Sequence, residues 1–180
     1  MDQFRINMEL HDLGNSTSTF EFPIWGTICV ECDGFYFPGE EWHDAVSSLL
    51  DMWLSEIIQY VNTGCDCCEL DFMDGPFVIC LNRLPKDYVC VSLIKRPGEV
   101  HRKFSVSLKD FVKELLNCVN LFVDECKAQS MQFVETNTFC RILENSHSLG
   151  VLYFRQDTVR NQEKLFVSND LQQRSVRSGR

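Results

Sequence analysis

Residues 40–62 carry ten apolar side chains at helical spacing, a stripe too wide for a helix that lies on a surface. Trp42, Ala45, Val46, Leu49, Leu50, Trp53, Leu54, Ile57, Ile58 and Val61 form it, and Asp44, Ser48, Asp51, Ser55, Gln59 and Asn62 make a narrow polar stripe opposite. Such a helix needs a broad apolar surface to cover it, and in a mixed chain that surface is a sheet. Pro38-Gly39 precede the helix, and Gly64 follows as its stop. Glu40 and Glu41 are expected in its first turn, where negative charge opposes the helix dipole favourably.

The strands that would form the sheet are visible by period-2 alternation. Phe4, Ile6, Met8 and Leu10 alternate with Arg5, Asn7 and Glu9. Gly14-Asn15-Ser16 breaks the pattern before Phe20, Phe22 and Ile24, then Ile28, Val30 and Cys32, with Pro23 and Gly26 indicating an edge or a bulge. Four more strands follow: Cys68 to Phe72, Phe77 to Leu81, Tyr88 to Ile94, and Val100 to Val106. Asp74-Gly75 and Arg96-Pro97-Gly98 supply turns between them. Ser107-Leu-Lys-Asp110 then has the form of a capping box, and Leu108, Phe111, Val112, Leu115, Leu116, Val119, Phe122, Val123 and Cys126 give one apolar helix face.

The connections are too short for parallel crossovers. The pattern therefore predicts an α+β fold in the order ββαββββα. It is expected to be one antiparallel sheet of about six strands, with both helices on one face. If the helices cover the face of Phe4, Phe20 and Leu70, the other face carries Glu9, Glu21, Glu31, Glu69 and Asp71. The expected domain is 1–127. Residues 128–168 read as a partly structured extension, with a short helix over 137–145 and a hairpin from Val151–Arg155 and Leu165–Ser168. Residues 169–180 lack a core-forming pattern and are expected to be a flexible tail.

Charge is distributed unevenly. The first eighty residues hold fifteen Asp or Glu against Arg5 alone, and residues 81–180 hold sixteen Lys or Arg against eleven acids. The whole chain is −9, which disfavours nucleic acid as a partner because Lys and Arg supply most phosphate affinity. No stretch approaches the roughly 18 uninterrupted apolar residues of a membrane span, and the N-terminus lacks the form of a secretory signal. A cytoplasmic chain is expected. Of its ten cysteines, Cys80, Cys90, Cys118, Cys126 and Cys140 each sit among Val, Leu, Ile or Phe and read as thiols in a reducing compartment.

Little chemistry is legible. Cys29 and Cys32, with Cys65, Cys67 and Cys68, offer five thiols for a zinc- or thiol-dependent site. Against this, i and i+3 on a strand face opposite ways, and Cys67 and Cys68 diverge likewise. His11, His43, His101 and His147 are scattered, and none lies beside a nucleophile in a recognisable motif. Gly-x-Gly-x-x-Gly, a phosphate loop and Gly-x-Ser-x-Gly are all absent. The residues give no positive reason to expect an enzyme, a cofactor or a metal.

Phe37-Pro-Gly-Glu-Glu-Trp42-His-Asp44, Leu49 and Trp53 on the same helix, and Phe72-Met-Asp-Gly-Pro-Phe77 in a hairpin together resemble small acidic bacterial proteins. Those proteins have about 120–150 residues, and several are thought to be immunity proteins of contact-dependent or polymorphic toxin systems. The resemblance covers residues 1–127. It implies a non-enzymatic protein that binds and blocks one toxin domain, often a nuclease. The charge pattern agrees independently, since an acidic surface is steered quickly onto a basic site. Glu40, Glu41, Asp44, Asp66, Glu69, Asp71 and Asp74 are the expected contacts. A cytosolic interaction module of another role, self-associating through its basic and acidic halves, is the alternative beside the zinc or thiol reading.

Overall fold

The structure, a computed structural model, describes residues 4–10, 23–128 and 137–153. Its class is α+β, but the strands form two antiparallel sheets and not one. In the first, β2 (Gly26–Cys32) lies centrally, paired with β1 (Phe4–Leu10) on one side and with β3 (Phe35–Phe37) and β4 (His43–Asp44) on the other. The second is a meander of β5 (Cys67–Asp71), β6 (Phe77–Leu84), β7 (Tyr88–Lys95) and β8 (Glu99–Ser107). Alternation along a strand reports which face is buried, not which strand lies beside it. That is why the faces agree with the sequence pattern and the single sheet does not.

Phe4, Ile6, Met8 and Leu10 are buried on β1, and Cys68 and Leu70 on β5; Glu9 and Glu69 are exposed, while Glu31 and Asp71 are half-buried. Phe20 and Glu21 lie outside the described residues. The two sheets join one core through aromatic contacts. Phe4 stacks on Phe111 at 5.2 Å between centroids and meets Phe104 of β8 at 5.6 Å. Phe37 of β3 meets Phe72 and Phe77 edge-on at 5.8 and 5.6 Å.

Helix α1 (Val46–Thr63) packs against β5 and β2, and α2 (Leu108–Ala128) against β1 and β8. Trp53 is fully buried, with its indole N–H donating to the Asp71 carbonyl at 2.8 Å and its ring edge-on to Phe72. Gly64 ends α1 in the left-handed conformation (φ 69°), where glycine alone avoids a Cβ penalty. Arg83 completes that end, donating to the carbonyls of Tyr60 and Cys65 at 2.7 Å each, with its guanidinium 4.3 Å from the Tyr60 ring centroid. Ser107 caps α2 as the sequence pattern requires, accepting from the Asp110 N–H at 3.0 Å and donating to the Asp110 carboxylate.

The start of α1 differs from the sequence reading. Residues 43–44 are strand, and the first turn of the helix contains no acid. Trp42 and Ala45 fall in phase with the apolar stripe, yet Trp42 sits ahead of β4, with its carbonyl accepting from Ile28 N–H at 2.9 Å. Pairing with β2 fixes that segment as extended chain. Glu40 and Glu41 therefore do not oppose the α1 dipole.

Residues 137–153 form a third helix, α3, longer than the segment expected over 137–145. Phe139, Ile142 and Leu149 belong to the same buried core, so a boundary at 127 does not mark the end of the fold. Phe139 meets Phe122 of α2, Lys109 lies over the Tyr153 ring, and Arg141 pairs with Asp51 of α1 at 2.6 Å. Residues 151–153 continue this helix and do not begin a hairpin; the rest of that expected hairpin, and the tail 169–180, lie outside the described residues.

Candidate protein-binding surface around the start of α1

Asp44 organises this region from within. It is fully buried, and so is not the surface contact the sequence reading made of it. One carboxylate oxygen, Oδ1, accepts from Ala45 N–H at 2.7 Å. The other, Oδ2, accepts from the N–H groups of Met73 and Asp74 at 3.0 and 3.2 Å. A buried carboxylate is tolerated where donors converge on it. Here those donors come from the helix entry and from a turn about thirty residues away, so Asp44 fastens the 73–76 turn to β4. Across the sheet Asp44 pairs with Gly26, and Ser47 holds Ile24 by accepting its N–H at 2.9 Å.

The turn itself depends on Gly75. Its φ of 105° is disfavoured for other residues, and an added Cβ would lie 3.1–3.2 Å from the rings of Phe77 and Trp42. Trp42 packs edge-on against Phe77 at 4.9 Å. The 39–42 turn and the 73–76 turn are thereby neighbours, and their exposed acids, Glu40, Glu41 and Asp74, share one region.

The remaining expected contacts divide in two. Asp66 is exposed at the start of β5, at the opposite end of that strand from the 73–76 turn. Glu69 and Asp71 are already paired: Arg96 bridges both, at 2.9 and 2.8 Å. Those acids hold the Arg96 guanidinium above its usual range, Glu69 by its hydrogen bond first and Asp71 by its charge. Glu40, Glu41, Asp66 and Asp74 make no ion pair among the described residues. Sequence reasoning missed Arg96 because nothing local joins residue 96 to 69; only the register of β5, β6 and β7 does.

Two exposed apolar side chains adjoin the same region, and the sequence reading passed over both. Trp25 is 50% exposed and Met73 54%, more than any other large hydrophobic among the described residues. Trp25 precedes Gly26, and Met73 bonds directly to Asp44.

The cysteines offer no comparable site. Cys29 pairs across from Asn7 and Cys32 from Phe4, on opposite faces of β2. Cys68 is buried while Cys65 and Cys67 are exposed. Among the described residues no group of three or more His, Cys, Asp or Glu is placed to hold a metal ion. Burial pushes the Cys29 thiol up to about 11 and that of Cys68 to about 12, which suppresses the reactive thiolate. His43 and His147 are exposed, and His101 packs edge-on to Phe37; His11 lies outside the described residues.

Comparison with models of known protein families, with curated proteins and with solved structures finds no match. What the structure defines is thus a class: a two-sheet α+β protein with an acidic, partly apolar surface at the entry to its first helix. No helix among the described residues is long and apolar enough to cross a membrane.

Proposed function

We propose that this chain is a non-enzymatic, immunity-type protein that binds and neutralises a basic, nuclease-like toxin domain. The observation that carries this reading is the set of exposed carboxylates that make no ion pair among the described residues, Glu40, Glu41 and Asp74 around the helix entry and Asp66 at the other end of β5, on a chain of net charge −9. A site that grips phosphates is basic, and unpaired acids both steer approach to it and occupy it. Asp44 acts as the clasp beneath that surface. Glu69 and Asp71 contribute their share of the field with Arg96 already bound. The same acidic surplus argues against nucleic acid as a direct ligand. A cytoplasmic location belongs to this reading, where ten free thiols stay reduced.

The test is a pull-down from the native cells with the tagged full chain at low and high salt, with bound proteins identified by mass spectrometry. A single basic toxin-like domain, captured faster at low salt, supports the proposal. The association rate should then fall about tenfold or more in the Glu40→Lys, Glu41→Lys double variant and lose much of its salt dependence. No stoichiometric partner at either salt would remove the reading.

A further inference from the structure

We propose that Trp25 and Met73 are the apolar anchors of this surface, and that they receive a partner segment in which an aliphatic side chain is flanked by Lys or Arg. The inference rests on the binding role proposed above and specifies its chemistry. Acids alone give rate and direction, whereas residence time comes from a few desolvated side chains, with Trp prominent among them.

Trp25 and Met73 are suited to that by exposure and by fixation. They are the two most exposed large hydrophobics among the described residues, while Trp53 and Tyr60 are fully or almost fully enclosed. Neither anchor hangs on free chain. Ile24, next to Trp25, donates its N–H to the Ser47 hydroxyl oxygen at 2.9 Å, and its carbonyl accepts from Ser47 N–H at 3.3 Å. Met73 is held by Asp44 at 3.0 Å, and Asp44 pairs with Gly26 on the other side of Trp25. Two separate segments are thus fixed to the strand and helix entry at residues 44–47, one by the Asp44 carboxylate and the other by backbone pairing and Ser47, which lowers the ordering cost of binding.

The surrounding charge selects the occupant. Glu40 and Glu41 precede Trp42 on the neighbouring turn, and Asp74 follows Met73. An apolar partner segment without positive charge would leave these acids desolvated and unpaired; a basic rim pairs them.

The experiment pans a phage library of random peptides on the immobilised full chain, then compares the enriched peptides on Trp25→Ala, Met73→Ala and Glu40→Lys, Glu41→Lys chains. Melting temperatures are measured alongside, and exposed positions should leave them nearly unchanged. Expected is a consensus of an aliphatic residue between Lys or Arg, with affinity reduced about tenfold or more by either alanine. No enrichment, a consensus without basic residues, or equal binding to the alanine variants would overturn the inference. So would a wild-type dimer that Trp25→Ala dissolves, since the surface would then belong to a second copy. A toxin domain held as tightly by the Trp25→Ala, Met73→Ala chain as by wild type would sink the anchors and leave the immunity reading standing. Peptides lost on these variants while no toxin is captured would sink immunity and leave the anchored surface.

Discussion

Replacing Asp44 with Asn tests whether one buried carboxylate holds the surface together. The side chains are nearly the same size, so packing is preserved and only hydrogen bonding changes. Asp44 uses both oxygens: Oδ1 for Ala45 N–H, and Oδ2 for the N–H groups of Met73 and Asp74. An amide has one oxygen, so one of these directions must meet an NH2 group. A hydrogen bond to a charged group contributes about 1.5–3 kcal/mol, and a buried donor left without an acceptor costs about 1–3 kcal/mol. Met73 and Asp74 are exposed, so water recovers part of the loss. The expected destabilisation is about 2–3 kcal/mol for Asn, and about 3–5 kcal/mol for Ala, which abandons all three donors. With a urea dependence of about 2 kcal/mol per molar, Asn lowers the unfolding midpoint by about 1–1.5 M. Hydrogen exchange should quicken at the Met73 and Asp74 amides before it does in β6 or β7. A midpoint within about 0.3 M of wild type, with those amides unchanged, would refute the clasp.

Trp53→Ala should cost about 3–5 kcal/mol by chemical denaturation, while Trp53→Phe, which keeps much of the ring and loses the bond to the Asp71 carbonyl, should cost clearly less. Truncation after Ala128 removes Phe139, Ile142 and Leu149 from the core, at about 1.5–3 kcal/mol each; a melt equal to that of the full chain would show that α3 is dispensable. By contrast Arg141→Ala, which breaks an ion pair at the surface of α3, should change stability by no more than about 1 kcal/mol. Burial pushes the Cys118 and Cys126 thiols from 9.0 to about 12. The folded state then keeps protons that the unfolded state releases, so stability is full below about pH 8 and declines as pH rises through 9 toward 12. Each such thiol adds a slope of about 1.4 kcal/mol per pH unit in that window. Urea midpoints across it should show Cys118→Ala flattening the decline; an unchanged slope would contradict the assignment.

The elements legible in the sequence are those with one face on the core and one in water. β1, β5 and α2 have that property, and their alternation or helical period follows from it directly; β6 and β7 are legible instead as apolar runs, because adjacent residues such as Val78 and Ile79, or Val91, Ser92 and Leu93, are buried together. The entry to α1 was opaque for the opposite reason. β4 is two residues long, too short for any period, and it is strand only because Gly26 and Thr27 lie beside it. A helical stripe running on through Trp42 and Ala45 concealed it. The candidate site was half legible: Glu40, Glu41, Asp66 and Asp74 are exposed as expected, while Asp44 is buried through bonds to residues 73 and 74 that no local pattern records. Trp25 and Met73 carry no sequence signal at all, because an exposed apolar residue is recognised only once its burial is known.

The charge asymmetry between the two halves of the chain changes meaning once they are folded together. Arg96 bridges Glu69 and Asp71, Arg102 pairs with Asp33, and Arg141 pairs with Asp51. In each case the base comes from the second half and the acid from the first, so part of the imbalance is spent inside the molecule. Exposed pairs of this kind contribute little stability, which makes them a poor reason for so large an excess of acid. What they do is sort the acids. Glu69 and Asp71 on β5 and Asp33 in the β2–β3 turn acquire partners, while among the described residues Glu40, Glu41 and Asp74 do not, and these three belong to the same region as Met73 and Trp25, the described methionine and tryptophan with the most exposure. A surface that combined fixed apolar anchors with paired acids would have no preference for a basic partner. One with unpaired acids and no anchors would attract such a partner and release it. The described residues place both features around Asp44, and the proposed binding role needs both.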